Sequence, residues 1–201
     1  MSSSKGVALG LVAGCLLAVR APLAAQEGLG FHFAFGWQDT AGDLGDVFDP
    51  GVDAEFSVTA PVGPVRIGGG ANLVSFDVSG QPASFSQVQL HALVAYPFRL
   101  TDQIRPYAQA RLTHRRLRPE DDRYNGGEDA LLRDFVASGW GFEGVVGAML
   151  MLSPRAALDV SGALAPFSVS PDLSAEGLGP VDSGVSLRVH VGISWFPLAG
   201  R

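Results

Sequence analysis

The stretch GVSLRVHVGISWFP, residues 184–197, has a property that few folds can use. Val185, Leu187, Val189, Val191, Ile193 and Trp195 take the odd positions; Ser186, Arg188, His190, Gly192 and Ser194 take the even ones. Side chains repeat every two residues in a strand and every 3.6 in a helix, so this is a strand with one apolar and one polar face. GLGFHFAFGWQD, residues 28–39, repeats the pattern. There Leu29, Phe31, Phe33, Phe35 and Trp37 oppose Gly30, His32, Ala34, Gly36 and Gln38.

Six more segments between these two carry the same period. VDAEFSVTA sets Val52, Ala54, Phe56 and Val58 against Asp53, Glu55, Ser57 and Thr59. VRIGGGANLVSFDV opens with Val65 and Ile67 opposite Arg66, and its apolar parity shifts to Val74, Phe76 and Val78. The shift predicts a bulge at the glycine triplet 68–70. SQVQLHALVAYP, RPYAQARLTHRR, GWGFEGVVGAMLML and AALDVSGALAP complete a set of eight strands. No useful helical period occurs, although EDALLRDFV (128–136) could form a turn or two. The connections PVGP, PFRLTDQI and SPR are short, whereas 39–50, 117–137 and 167–183 are long, acidic and rich in Gly, Pro and Asp. Only 79–84 is short on the long-loop side. Short turns on one rim and long loops on the other predict an all-β fold. Its form is an eight-stranded antiparallel up-and-down transmembrane β-barrel with short periplasmic turns and longer extracellular loops.

The first residues, MSSSKGVALGLVAGCLLAVRAPLAAQE, predict a secretory signal peptide over 1–25, leaving a barrel domain over 26–201. The apolar run is short for a membrane-spanning helix, which needs ~20 residues. Cys15 is the only cysteine and lies inside this signal, so the mature chain needs no disulfide. VAGC also has the look of a lipoprotein signal, and lipidation is a minor alternative. The net charge is −6, and removing Lys5 and Arg20 with the signal makes the mature chain more acidic. An acidic chain without a basic stripe argues against nucleic acid as a partner.

Alternation alone does not say which face points outward, and a secreted lipocalin-like binding barrel would reverse the two. Aromatic placement decides for a membrane. Trp37, Phe76, Phe85 and Trp140 fall at the outer strand ends, and Tyr96, Tyr107 and Trp195 at the inner ends. Aromatic girdles at both interfaces are expected of a membrane barrel. The polar face mixes both charge signs with Gly, Ala and Ser, which suits a narrow interior better than a water-facing surface.

FHFAFGW, SPRAALDVSGAL and VHVGISWF together resemble the bacterial outer-membrane β-barrel domain, in the small eight-stranded class that includes OmpA-like and OmpX-like barrels. The resemblance covers the whole mature chain. It implies the outer membrane of a Gram-negative-type bacterium, contact with outer-membrane lipid and lipopolysaccharide, and a monomer. VHVGISWF is similar to the signal read by the barrel assembly machinery, with His190, Gly192, Trp195 and Phe196 at its positions. Pro197 departs from that signal, where a final aromatic is usual.

The inward polar set includes Glu55, Arg66, Arg111, Glu143, Asp159 and Arg188. Buried charges persist only when paired. Arg111 with Glu143 and Arg188 with Asp159, joined by Glu55, would form a salt-bridge plug or, if a pair opens, a thin gated path. His32, His91 and His190 lack metal-ligand spacing and read as hydrogen-bonded lumen histidines. The acidic loop residues, from Asp39, Asp43, Asp46 and Asp49 to Glu120, Asp121, Asp122, Glu128 and Asp129, lack a calcium-loop pattern. No metal or cofactor is expected. In HRRLR, Arg115, Arg116 and Arg118 suit lipopolysaccharide phosphates at the outer rim, with a salt-bridge cluster against PEDD equally open. A lipid A-modifying enzyme is the alternative function, with His114, Ser138 and Glu128 or Asp134 as its candidates. Arg116 stands where the resembling deacylases carry serine, and no enzymatic activity is expected. Function falls instead on structure or on the long loops, which a rigid scaffold can present.

Overall fold

A computed structural model describes residues 28–42, 45, 48–77, 79, 84–119, 137–168 and 183–197. Its strands are β1 (Gly30–Gly42), β2 (Gly51–Val62), β3 (Val65–Asp77), β4 (Ser84–Pro97), β5 (Ile104–Pro119), β6 (Ala137–Ser153), β7 (Ala156–Ser168) and β8 (Ser183–Trp195). Each pairs antiparallel with its neighbours in sequence, and β1 pairs with β8 from Phe31 opposite Trp195 to Gly42 opposite Gly184. The sheet is therefore a closed up-and-down barrel with no free edge. The strand start at Gly30 and the strand end at Trp195 lie on the rim of the short turns. Gly63 makes the two-residue turn between β2 and β3 possible, because its φ of 61° is left-handed and costly for other residues.

The alternation read in the sequence becomes two opposite surfaces. On β8 the odd residues from Val185 to Trp195 are exposed, while Ser186, Arg188, His190, Gly192 and Ser194 are buried. Phe33, Phe35, Leu73, Leu90, Phe142, Val160 and Leu164 extend the exposed apolar belt around the barrel. Among the described residues the largest fully buried side chains are all polar, led by Arg188, Gln38, Gln89 and Glu55. A water-soluble protein reverses this distribution.

The expected bulge at 68–70 does not form. β3 stays in register with β2 and β4 through the whole triplet, and Arg66, Asn72, Val74 and Phe76 all face inward. The apolar residues Val74 and Phe76 do not mark a change of face, because the lumen itself is apolar at that end. The one register irregularity described lies in β6, between Met151 and Ser153, beside the inner turn. Residues 1–25 and 128–136 lie outside the described residues.

Candidate functional site in the barrel lumen

Three layers fill the lumen. The outer one is apolar. Phe76 and Phe85, paired across β3 and β4, meet Phe48 from the β1–β2 connection at ring distances of 5.7 and 5.3 Å. Val74 and Leu117 are buried at the same end. A backbone bond from Asp49 to the Asp77 carbonyl (2.9 Å) fixes the segment carrying Phe48.

The middle layer is a network of charges. Arg111 grips Glu55 with two nitrogens at 2.8 and 2.7 Å and lies 3.1 Å from Glu143. Glu143 forms an ion pair with Arg188, accepts from Gln89 at 3.2 Å and lies 4.0 Å from Arg115. Arg188 also reaches Asp53 at 3.4 Å. His190 joins the two carboxylates of β2, with Nε2 at 2.7 Å from Asp53 and Nδ1 at 3.3 Å from Glu55. Asn72 donates to Asp53 at 3.2 Å and to Glu55 at 3.3 Å. Strands β2, β5, β6 and β8 are thus tied through the barrel centre as well as around its wall. Each side chain here would be costly alone in a low dielectric.

The inner layer is a cavity with ≈ 60 Å³ of volume open to water. Asp159, Tyr107, His32, Ser194 and Arg66 line it, above a floor of Met149 and Phe196. Tyr107 donates to Asp159 Oδ1 at 2.9 Å, and His32 bonds Ser194 at 3.0 Å. Gly147 gives the Tyr107 ring its place, since a Cβ there would sit 2.5 Å from the ring carbon bearing the hydroxyl. Arg66 donates to Thr59 Oγ1 (3.0 Å) and to the Gly28 carbonyl (2.9 Å), with its guanidinium 5.3 Å from the centre of the Phe196 ring.

These positions revise several expectations from sequence. Arg111 and Glu143 do lie together, but Arg188 pairs with Glu143 and Asp53 instead of Asp159. Asp159 sits lower, against Tyr107. Arg115 is no rim contact: it is buried and donates to Ser186 Oγ at 3.1 Å. Its parity with Arg111 and Thr113 already placed it inward. Tyr107 shares that parity and likewise turns into the lumen, leaving Trp37 and Trp140 at one rim and Tyr96 and Trp195 at the other. Phe76 and Phe85 leave the girdle for the outer layer. Phe31, 5.7 Å from Trp195, and Phe98, 4.9 Å from Tyr96, join the inner rim. His91 is buried, and among the described residues neither of its ring nitrogens has a hydrogen-bond partner, unlike those of His32 and His190. Asp53, the carboxylate missing from the expected set, was legible as a polar residue two before Glu55 on the same face.

Arg116 and Arg118 do face outward at the outer rim. Nearby, the His114 ring packs edge-on against Trp140 at 4.9 Å, while Ser138 lies opposite Arg116. Glu128 and Asp134 lie outside the described residues, as do Asp43, Asp46, Glu120, Asp121, Asp122 and Asp129. Of the positions in the terminal assembly pattern, Trp195 points outward, while His190, Gly192 and Phe196 are buried.

A closed eight-stranded antiparallel barrel with an apolar outer wall and a charged interior is the fold of small outer-membrane proteins. Neisserial surface protein A has this fold, with a TM-score of 0.64 and 16% identity over 85% of this chain and 97% of that one. OprG of Pseudomonas aeruginosa is similar at a TM-score of 0.47 and 13% identity, over 85% of this chain and 96% of its own. The outer-membrane enzyme PagL follows at 0.40 and 15%, over 81% and 97%. No family model and no curated protein matches the sequence.

Proposed function

We propose that the chain is an exported, monomeric outer-membrane barrel of a Gram-negative-type bacterium, working without catalysis through its rigid scaffold and long outer loops. The observation that carries this reading is the inversion of polarity. Phe142, Val146 and Val189 are more than half exposed, at 72%, 68% and 54%, whereas Arg188 is wholly buried. Such a wall needs an apolar solvent, and a closed barrel leaves no backbone group unpaired in it. The common fold with Neisserial surface protein A supports the same reading. At the outer rim, Arg116 and Arg118 suit the phosphates of lipopolysaccharide, and the barrel assembly machinery would read the terminal strand. The lumen is closed by ion pairs and apolar side chains, so any conducting path would need the network to open.

Substitution of opposite faces tests the reading. Charge on the lipid face near the midplane costs ~2–4 kcal/mol for Arg or Lys and less for Asp. Val189→Asp should therefore reduce insertion into outer membranes strongly, as read from the heat-shifted band in membrane fractions. Ser194→Asp, at the edge of the inner cavity, should insert nearly as the parent does. Equal insertion of both variants would refute the membrane assignment.

A further inference from the structure

The outward face of the strands carries charge only toward its outer end. Among the described residues its charged side chains are Asp39, Asp77, Arg116 and Arg118, and they are sorted by strand. Asp39 is on β1 and Asp77 on β3, whereas both arginines are on β5, which lies opposite β1 in the closed barrel. Neither guanidinium forms a hydrogen bond or an ion pair with another described residue. Register sets their depth. His114 is level with Trp140, Arg116 with Val88 and Ser138, and Arg118 with Ser86. Tryptophan belts sit at the edge of the headgroup region. At ~3.4 Å per residue, Arg116 and Arg118 lie about 7 and 14 Å along the strand beyond the level of Trp140. They therefore stand among the headgroups of the outer leaflet.

A phosphate meets opposite conditions on the two sides of this rim. Beside Asp39 or Asp77 it meets like charge and needs a divalent cation in between. On β5 two guanidiniums offer forked, charge-assisted hydrogen bonds, and the hydroxyls of Ser86 and Ser138 flank them on β4 and β6. A phosphate monoester carries about −1.5 to −2 at neutral pH, so it gains more from two arginines than a diester of single charge does. One step below, the exposed Trp140 indole gives a flat apolar surface on which a sugar ring can rest. We propose that the outward face of β4–β6 at the outer rim binds a phosphate monoester on the sugar headgroup of an outer-leaflet glycolipid, directly and without a bridging divalent cation. The inference rests on the outer-membrane reading above and adds to it the group bound, its place on the barrel and its independence of metal.

The test uses refolded barrel in zwitterionic detergent micelles with EDTA present. Diphosphoryl lipid A, dephosphorylated lipid A and phosphatidylglycerol, a diester, are titrated separately, and the amide shifts of Ser86, Arg116, Arg118 and Ser138 are followed by NMR. Diphosphoryl lipid A should move these amides saturably, bind at least about tenfold more tightly than either other lipid, and gain nothing when magnesium replaces EDTA. The double change Arg116→Gln with Arg118→Gln should weaken it by about tenfold or more, the scale of lost hydrogen bonds to a charged group. Both residues are exposed, so the variant should refold as the parent does. Asp39→Asn, on the opposite side, should leave binding unchanged. Insertion of Val189→Asp against Ser194→Asp reads the membrane assignment separately, so a failure here would strike the glycolipid site alone. The proposal is overturned if no saturable shift occurs in EDTA, if binding requires magnesium, if either other lipid binds as tightly, if Asp39→Asn alters binding, or if the double arginine variant binds as the parent does.

Discussion

The outer and middle layers of the lumen fill the same cross-section by opposite means. In the outer layer Phe48, Phe76 and Phe85 exclude water through contact, and one of the three comes from outside the strands they cover. In the middle layer each carboxylate has two or more side-chain partners, and four strands hold the charged groups in place. An apolar plug loses roughly the area and cavity of what is removed. A closed ion network loses far more when one member leaves, because the remaining charges stay buried. The barrel therefore has a soft stopper above a stiff, all-or-none lock.

The most damaging single change should be Glu143→Ala. It leaves Arg111 and Arg188 without a shared carboxylate, and loss of one partner of a buried pair costs ~3–5 kcal/mol. The midpoint of urea unfolding in lipid or detergent measures it. Adding Arg188→Met should recover part of the loss, and strictly additive effects would mean that the pair is not coupled. Phe76→Ala should cost less, near the lower end of the ~3–5 kcal/mol seen for buried Phe→Ala. Phe48→Ala should cost less still, about 1–2 kcal/mol, because its connection can settle into the space. If Phe48→Ala proved as damaging as Glu143→Ala, the contrast between stopper and lock would fail.

The smallest effect should lie outside both layers, in the inner turn between β4 and β5. There Arg99 pairs with the fully exposed Asp102 and holds its carboxyl below the usual carboxylate range. A carboxylate with a lowered folded pKa adds stability above its unfolded pKa, and that contribution fades as pH falls through the folded value. Thermal midpoints of parent and Arg99→Ala should nearly coincide at neutral pH and converge fully in acid, since exposed pairs contribute little. A large gap at neutral pH would make this turn a third lock.

Most of the wall was legible in the sequence, because a strand between lipid and a polar lumen has to alternate, as β8 does at every step. Legibility failed where the lumen stops being polar. Val74 and Phe76 are as apolar as the wall, so their pattern suggested a bulge in β3, while Phe85, which shares the parity of the inward Gln87, was put at the rim by its residue type alone. So it was with Tyr107 and Arg115: their odd parity with Arg111 gave their direction, and only their residue types suggested a rim. Ion partners were harder to read. Arg188 lies beside Asp159 by strand order, yet a long guanidinium reaches across the barrel to Glu143 and Asp53. Cross-lumen reach depends on barrel closure and stagger, which no local pattern records.

The chain's own three tryptophans test the inverted polarity most directly, with no substitution needed. Trp37, Trp140 and Trp195 all lie on the outer wall, exposed by 61%, 66% and 51%, two at one rim and one at the other. In bilayers of lipids brominated on the acyl chain, bromine near the headgroups should quench their fluorescence strongly. Bromine near the chain ends should quench it weakly, and aqueous iodide hardly at all. Quenching by iodide with none from brominated lipid would place the apolar wall out of contact with lipid and contradict the account.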